Sequence, residues 1–243
     1  MARTLYTGAA GLAANQYYIN NIGSNIANVN TAGYKPVVTA FSDLLYSQMY
    51  TKSADVLSGN GSKAEYGGIN PGQAALLPTG NKLDFAIQGS GWFAVETKDG
   101  VRYTRNGAFS LSPENGSLFL VDASGNYVLD KAGNRISQAG ETDADDVSKA
   151  DADALATQAA VYDFANPEAL TPLASSLYAS NTQSGEPTLS TDSQVVSGYL
   201  EQSGTSMVDG MLDLIMAQRA YQLSAKVLQT ADEDEQTVNS LRG

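Results

Sequence analysis

The sequence predicts an α+β fold in which a long helix at each end of the chain flanks a mostly antiparallel β domain. Apolar residues recur with helical spacing over residues 1–34 and 203–243. Between these segments the period changes to two, and Gly, Asn and Asp separate short runs of β-forming residues. A chain of 243 residues is long enough for one large domain or two small ones.

The N-terminal segment is predicted to be a helix with a heptad-like seam. The seam residues recur every seven positions or fill the turn between them: Leu5, Leu12, Ile19, Ile22 and Ile26. Asn, Thr and Gly within residues 28–33 are expected to end the helix, and Lys35-Pro36 favours an extended exit. Three glycines inside the segment each cost roughly 0.5–1 kcal/mol relative to Ala, so the isolated helix should be marginal.

The middle of the chain is predicted to be a series of strands and tight turns. Residues 82–95 indicate two strands around a turn at 89–91, and further strands are expected at 102–104, 108–111, 117–121, 127–129 and 159–164. Asn106-Gly107 and Asn115-Gly116 are typical of hairpin turns. The segments 122–126 and 130–134 repeat one pattern, as two successive turns would. The Asp- and Ala-rich insertion 138–157 is predicted to be a mobile loop or a short exposed helix.

The C-terminal helix is predicted from about Thr205 to Leu241, a length of roughly 55 Å at 1.5 Å per residue. Its seam consists of Met211, Leu214, Ile215, Tyr221 and Leu228. The acidic residues from Glu201 through Asp213 are expected in its first turns, where the helix dipole favours negative charge.

Composition excludes several classes of chemistry. The chain has no Cys and no His, which excludes disulfides, thiolate or imidazole metal sites, and catalysis by an imidazole base. We expect no catalytic, cofactor-binding or metal-binding residues. The net charge of −12 argues against nucleic-acid binding, because neutralising phosphates needs a surplus of Lys and Arg. This charge comes from residues 141–213, which hold thirteen acids and one base.

The stretch between Arg3 and Lys35 carries no charge, but it does not predict a membrane segment. Its six Asn and one Gln are too polar for the apolar core of a signal peptide or a membrane-spanning helix. We therefore expect no membrane insertion and no cleaved signal peptide.

Three patterns that could indicate a ligand site have simpler interpretations. Gly89-x-Gly91-x-x-Ala94 matches a dinucleotide-binding fingerprint, but the following residues predict a strand instead of the helix that would hold a pyrophosphate. The Asp-rich stretch 143–153 lacks the Gly and the closing Glu of a calcium loop, so a solvated acidic loop is favoured. Asp84 and Glu96 could pair for glycoside cleavage, although surface carboxylates are common and catalytic pairs rare.

The uncharged N-terminal helix is the most informative feature. A helix packed on one protein core normally has a charged solvent face. Here the non-apolar face carries Asn, Gln, Ser, Thr, Gly and Tyr, which suit a surface covered by other protein without burial of charge. We infer that the C-terminal helix covers one side and that other copies cover the rest. An ordinary, partly exposed Asn-rich helix is the alternative.

Three motifs occur in order along the chain. Residues 25–35 (NIANVNTAGYK) form the first, residues 83–93 and 103–109 the second, and residues 198–203 with 211–230 the third. Together they resemble the axial proteins of the bacterial flagellum, the rod, hook and hook-associated family. The residues that match the terminal motifs of this family are Asn25, Asn28, Thr31, Gly33, Tyr34, Lys35, Gln218 and Arg219.

The resemblance implies a domain organisation. The terminal helices, residues 1–34 and 203–243, would pair as a coiled coil that lines the inner tube of a helical filament. Residues 35–81 would form an extended linker region, residues 82–185 an outer β domain, and residues 186–202 a return segment. The protein would be a structural subunit of the basal-body rod, would polymerise with itself, and would transmit torque from motor to hook.

The resemblance also implies partners and a location. Other rod proteins and the hook protein would lie at the ends of the polymer, ring proteins could surround it, and the flagellar type III apparatus would export it to a basal body that crosses the periplasm. Residues 218–221 and the Ala-Asp-Glu that follows are most similar to distal rod subunits, with proximal rod subunits as the alternative. A hook or hook-associated protein of the same family is a further alternative, although hook subunits usually carry a larger outer domain. A carboxylate-based peptidoglycan hydrolase and a cell-surface binding module are the rival classes.

Overall fold

A computed structural model describes residues 2–51, 54–114, 117–138, 152–191 and 193–241. These residues divide into two compact units. The helical unit comprises residues 1–27, 37–67 and 206–243, and the β unit comprises residues 28–36 and 68–205. Both units are therefore assembled from segments that are distant in sequence.

In chain order, the described helices are α1 (Ala2–Ala27), α2 (Ala152–Gln158) and α3 (Met207–Ser240). Four strands begin in the helical unit: β1 (Val37–Asp43), β2 (Ser47–Thr51), β3 (Ala54–Ser58) and β4 (Ser62–Ile69). The described strands of the β unit are β5 (Leu76–Pro78), β6 (Phe85–Gln88), β7 (Trp92–Thr97), β8 (Gly100–Thr104), β9 (Ser110–Glu114), β10 (Ser117–Val121), β11 (Tyr127–Val128), β12 (Ser137–Gln138), β13 (Val161–Asp163), β14 (Thr171–Pro172), β15 (Leu177–Ala179), β16 (Thr188–Leu189), β17 (Gln194–Ser197) and β18 (Tyr199–Glu201).

The predicted α+β class is confirmed, with a helix at each end and antiparallel strands between them. The Ser206 side chain caps α3 by accepting a hydrogen bond from the Asp209 N–H at 3.3 Å, which satisfies one of the free donors of the first turn. The expectation that Glu201 lies in this first turn is wrong. Glu201 ends β18, five residues before the cap, and its side chain is buried.

Ten of the described strands form one sheet, whose main order is β12-β10-β11-β7-β8-β15-β14. Strand β7 pairs antiparallel with β8, β11 and β13. Two smaller antiparallel pairs, β6 with β17 and β5 with β18, complete the described pairing in the β unit. In the helical unit, β1 pairs with β4 and β2 with β3.

The inward residues of several strands form the core of the β unit. The period-two pattern places them on one face, and their burial provides the main stabilisation of the sheet. This cluster contains Leu83, Phe85, Ile87, Phe93, Val95, Phe109, Leu120, Val128, Ile136, Leu155, Ala156, Ala159 and Val161. Because Leu155 and Ala156 belong to α2, the prediction of an exposed helix in the insertion is wrong for this part of it. Residues 139–151 of that insertion lie outside the described residues.

The two predicted successive turns are confirmed and have the same construction. The Asp122 carboxylate accepts hydrogen bonds from the N–H groups of Ser124 and Asn126, both at 2.8 Å. The Asp130 carboxylate accepts from the N–H groups of Ala132 and Asn134, at 2.8 and 2.7 Å. In each turn the Asp side chain thereby satisfies backbone donors that the sheet leaves unpaired.

Two strand pairings differ from the prediction. Strands β6 and β7 both exist, but they do not form a hairpin, because β6 pairs with β17. Asn106-Gly107 does not join a hairpin either, since β8 pairs with β7 and β15 whereas β9 pairs with β10. Asn115-Gly116 lies outside the described residues; the strands on either side of it pair antiparallel, with Glu114 opposite Ser117.

A search of the described helices finds none that combines the length and the apolar character needed to cross a bilayer.

Candidate assembly site

The two terminal helices pack against each other within the helical unit, in opposite directions along the chain. Near one end, a Cβ added at Gly8 would lie 3.0 Å from Leu228 Cγ, and near the other, a Cβ at Gly210 would lie 3.0 Å from Ile26 Cγ1. Between these points the Asn15 side chain donates a hydrogen bond to Ser224 Oγ at 3.4 Å. Glycines thus lie where the two helices approach most closely.

Small residues occupy much of the buried surface between these helices. Ala14, Ala217 and Ala231 are 3–8% exposed. Of the predicted seam residues, Ile22 is buried, whereas Met211 and Ile215 are about half exposed. The remaining seam residues are intermediate in burial: Leu5, Leu12, Ile19, Ile26, Leu214, Tyr221 and Leu228.

A set of apolar side chains on one face of α3 remains exposed in the single chain. We call this set the α3 stripe. Its members share one side of the helix when successive residues are about 100° apart around the axis. They are Val208, Met211, Leu212, Ile215, Met216, Leu223 and Val227, each 44–78% exposed. Gln218 and Arg219, the family-motif residues of α3, are also exposed.

Asparagines on α1 bind the start of β1. The Asn25 side chain accepts from the Val37 N–H at 3.0 Å and donates to the Val37 carbonyl at 2.9 Å. Asn21 donates to Thr39 Oγ1 at 2.6 Å. Part of the uncharged amide face of α1 is therefore covered by the chain's own first strand, a contact that the sequence did not predict.

The rest of the N-terminal motif belongs to the β unit and forms a tight turn. The Thr31 N–H and side chain both bond with Asn28, through its carbonyl and its side-chain oxygen. Gly33 has a φ of +65°, and a Cβ there would lie 2.3 Å from the Arg105 carbonyl carbon. Only Gly fits this position, because both the backbone conformation and the space exclude a side chain.

Residues 33–36 lie beside the segment that precedes α3. The Gly33 N–H donates to the Glu201 carbonyl at 2.8 Å, and the Gly204 N–H donates to the Tyr34 carbonyl at 2.9 Å. The Lys35 N–H donates to the Tyr178 hydroxyl at 3.1 Å. Segments that are far apart in sequence are thus joined by backbone hydrogen bonds inside the β unit.

Three charged side chains, which we call the ion triad, are buried at this junction. The Lys35 ammonium donates to Glu201 Oε1 at 2.6 Å, and the Arg105 guanidinium donates to Glu201 Oε2 at 3.0 Å. The residues are 0%, 3% and 1% exposed in the order Lys35, Arg105, Glu201. Their charges sum to one positive charge, so the triad is not neutral.

Neutral groups add further hydrogen bonds to the triad, although the buried Arg105 Nε has no partner among the described residues. Glu201 Oε1 also accepts from the Ala74 N–H at 2.8 Å. The Lys35 ammonium donates to the Gly72 carbonyl at 2.7 Å, and Arg105 donates to the Gly89 carbonyl at 2.8 Å. Burial lowers the pKa of both Lys35 and Arg105, and the Glu201 carboxylate opposes this shift in each case. The carboxylate is what allows two cations to remain in a dry environment.

The structure does not assemble a ligand site from the other patterns. Strand β7 begins at Trp92, directly after Gly91, so a strand follows the Gly89-x-Gly91 sequence. Asp84 is buried and accepts from Asn81, whereas Glu96 is partly exposed and pairs with Arg135 at 2.6 Å. Within the described ranges, no cluster of three or more carboxylates could hold a metal ion.

Comparison with known proteins gives the family. Residues 5–35 match the family described as flagella basal body rod protein. Residues 86–152 match the flagellar hook protein FlgE/F/G D1 domain, and residues 196–241 match the flagellar basal body rod FlgEFG protein C-terminal family. Flagellar basal-body rod protein FlgG of Agrobacterium fabrum is 35% identical over 253 residues, covering 95% of this chain and 96% of the relative. The chain belongs to the flagellar basal-body rod family.

Other members of the rod family are similar over their whole length. FlgG of Bacillus subtilis is 32% identical and covers 100% of both chains. FlgF of Caulobacter vibrioides, also called a flagellar basal-body rod protein, is 32% identical over 96% of this chain and 95% of its own. The rod family is structural, and this chain is a structural protein and not an enzyme.

The three matched regions each contribute one member of the ion triad. Lys35 ends the first region, Arg105 lies in the second, and Glu201 lies in the third. Sequence analysis placed Lys35 in a motif but did not single out Arg105 or Glu201 as site residues. Their positions could have indicated a role, because both residues lie inside stretches that resemble family motifs.

Proposed function

We propose that the chain is a structural subunit of the flagellar basal-body rod and polymerises with its own copies into a helical tube that transmits torque from motor to hook. The observation that carries this proposal is the α3 stripe. Monomeric proteins rarely expose a contiguous apolar surface of more than a few hundred Å². Each large side chain of the stripe that becomes buried would contribute about 1.5–3 kcal/mol to assembly.

The neighbouring helix supports the same proposal. α1 carries no charge between Arg3 and Lys35, and its exposed polar groups are amides and hydroxyls. A second copy could therefore cover this helix without removing a charge from water. Contacts that repeat from subunit to subunit without closing produce a helical polymer.

We also propose the roles of the chain segments. The helices within residues 1–34 and 203–243, which are α1 and α3, pair as a coiled coil that lines the inner tube, and residues 82–185 form the outer β domain. Residues 35–81 act as the linker region, and residues 186–202 return the chain to the second helix. The antiparallel packing of α1 on α3 supports this arrangement, since a coiled coil requires two helices with facing apolar seams.

The proposed partners follow from the family. Other rod proteins and the hook protein adjoin the polymer, ring proteins surround it in the periplasm, and the flagellar type III apparatus exports the subunit. Within the rod we place the chain in the distal part, because residues 218–221 are most similar to distal subunits. The names of its relatives support a location in the basal body.

A charge introduced into the α3 stripe tests the proposal. Leu212→Asp changes a residue that is 57% exposed, so the isolated chain should fold normally. In the polymer the aspartate would be buried without a partner, which should reduce the number of complete hook-basal bodies in cells at least tenfold. Gln236→Glu adds the same charge at an exposed polar position of α3 beyond the end of the stripe and should leave assembly within twofold of wild type. Normal motility of Leu212→Asp cells would contradict the proposed interface.

A further inference from the structure

We propose that the ion triad is a clamp that holds residues 28–36 against residues 201–204 and thereby fixes the two chain segments that continue into α1 and α3. This inference goes beyond the proposed function, because it concerns the folded single chain and does not depend on a polymer. The triad joins three segments of the β unit: the N-terminal motif, the turn after β8 and the end of β18.

The side chains and the backbone fix the same two segments. Lys35 and Glu201 form an ion pair at 2.6 Å, and the backbone bonds from Gly33 to Glu201 and from Gly204 to Tyr34 join the same two segments. Residues 28–36 directly follow α1, and residues 201–205 lie just before the cap of α3. One buried contact therefore sets the position of both segments.

The buried ion pair makes docking of the two segments conditional, because burial of a charge without a partner costs several kcal/mol. A side chain at position 35 without the ammonium would lose the bonds to Glu201 and to the Gly72 carbonyl. The Lys35 ammonium can enter the β unit only if the Glu201 carboxylate is already in position. Docking of residues 28–36 in another register, or without residues 201–204, would leave this cation unpaired.

The arrangement of the triad also separates the clamp from the rest of the sheet. Glu201 Oε2 receives Arg105, whereas Oε1 receives Lys35 and the Ala74 N–H. If Lys35 is removed, Arg105 and Glu201 remain as a neutral pair, and Glu201 Oε1 keeps one donor. The Gly72 carbonyl belongs to an exposed residue and can bond to water instead. Loss of Lys35 should therefore release the N-terminal segment without destabilising the sheet.

Hydrogen exchange on the full-length chain tests this inference. In Lys35→Met, we expect peptides that contain residues 28–36 and 200–206 to exchange at least tenfold faster than in the wild type. Peptides from β7 and β8 should stay within threefold, because their ladder does not include Lys35. Arg135→Met is the matched control: it breaks an ion pair of the same unit whose side chains are 45% and 41% exposed, and it should change neither region more than twofold.

A second variant tests the charge balance. Glu201→Gln removes the shared anion and leaves Lys35 and Arg105 buried together, so it should accelerate exchange throughout the β unit. Adding Lys35→Met to Glu201→Gln removes one of the two cations. The double variant should therefore exchange the amide hydrogens of the β unit at least threefold more slowly than the Glu201→Gln variant. If Glu201→Gln does not fold, the exchange of residues 28–36 in the single Lys35→Met variant still tests the clamp. Unchanged exchange of residues 28–36 in Lys35→Met, or equal acceleration of β7 and β8, would overturn the clamp.

Discussion

Lys35 is fully buried, although Lys is among the side chains most often found at the surface. Its ammonium contacts the Glu201 carboxylate and the Gly72 carbonyl, and Arg105 shares the same carboxylate. The triad thus carries one excess positive charge on side chains that are almost completely buried. Burial consequently lowers the pKa of Lys35, and this shift couples the stability of the fold to pH.

We predict that the free energy of unfolding rises with pH as the pH approaches 10.5 from below, through the contribution of Lys35. Its folded pKa lies below the ordinary value of 10.5, so the unfolded chain binds more protons in that window. A state that binds more protons is disfavoured as the pH rises, and here that state is the unfolded one. Urea unfolding at several pH values from 7 to 9.5 would measure the slope, and Lys35→Met should reduce it.

Lys63 provides the control for this titration. It pairs with Glu65 at 2.8 Å on the surface, and the hydrogen bond to Glu65 raises its pKa above 10.5. The contribution of Lys63 to the free energy of unfolding therefore changes only above pH 10.5. Tyr18, Tyr66 and Tyr103 have pKa values raised above 10. Above pH 10 the folded chain therefore binds more protons than the unfolded chain, and these residues lower the free energy of unfolding as the pH rises. A slope that persists in Lys35→Met and disappears in Lys63→Met would contradict the assignment.

The sequence predicted the individual motif residues but not the residues that they contact. Lys35 and Glu201 are separated by 166 positions, and Arg105 and Glu201 by 96. No local pattern links residues so far apart, because their pairing depends on how the strands are ordered. The charge of Glu201 suggested a helix N-terminus, whereas the residue satisfies two buried cations.

The glycines of α1 have two different roles in the helix pair. A Cβ at Gly8 would meet the Leu228 side chain at 3.0 Å, and one at Gly11 would meet Ser224 Oγ at 3.3 Å. At Gly23 nothing lies within 4 Å of the added atom. Gly8 and Gly11 therefore permit close packing of α1 on α3, whereas Gly23 has no packing role within the single chain.

We predict opposite effects for two alanine substitutions in α1. Gly23→Ala should stabilise the helical unit by about 0.5–1 kcal/mol, because Ala has the higher helix propensity and fits without contact. Gly8→Ala should gain less or lose stability, because Leu228 must move to admit the methyl group. Thermal unfolding followed by far-ultraviolet circular dichroism would compare them. A larger gain for Gly8→Ala than for Gly23→Ala would show that the helix contact is misassigned.

Elements with a strong period were predictable, and short strands were not. The seams predicted α1 and α3 to within a few residues of their observed bounds. Strands β6 and β7 were predicted as neighbours because a Gly-Ser-Gly turn joins them, but β6 pairs with β17, in which Ser197 lies opposite Phe85 far along the chain. Strands of two or three residues, such as β11 and β14, depend on their sheet partners more than on their own propensity.

The two units differ in how much of their apolar surface is buried in the single chain. The β unit contains a cluster of thirteen buried side chains that belong to several strands and α2. In α3, a helix of 34 residues, the buried residues are Ala217 and Ala231. The resistance of a segment to local opening depends on such burial, so the units should not open with the same free energy.

We predict that peptides from α1 and α3 exchange their amide hydrogens faster than peptides from β7 and β8 in the isolated chain. The terminal helices depend on a narrow contact of small residues, whereas β7 has paired neighbours and four fully buried side chains. Assembly should slow exchange of α1 and α3 and leave β7 unchanged. Equal protection of helices and sheet in the isolated chain would argue for a module that is complete as a monomer.

The sequence separation of Lys35 and Glu201 has a kinetic consequence. Closing a flexible loop of 166 residues costs about 1.5 kcal/mol more than closing one of 30 residues, because the entropic penalty grows with the logarithm of loop length. The penalty falls once the strands between them have folded and shortened the effective loop. We therefore expect residues 28–36 to be the last part of the β unit to become ordered, after the sheet has formed. A chain synthesised or delivered from its N-terminus would hold this segment open until residue 201 has emerged.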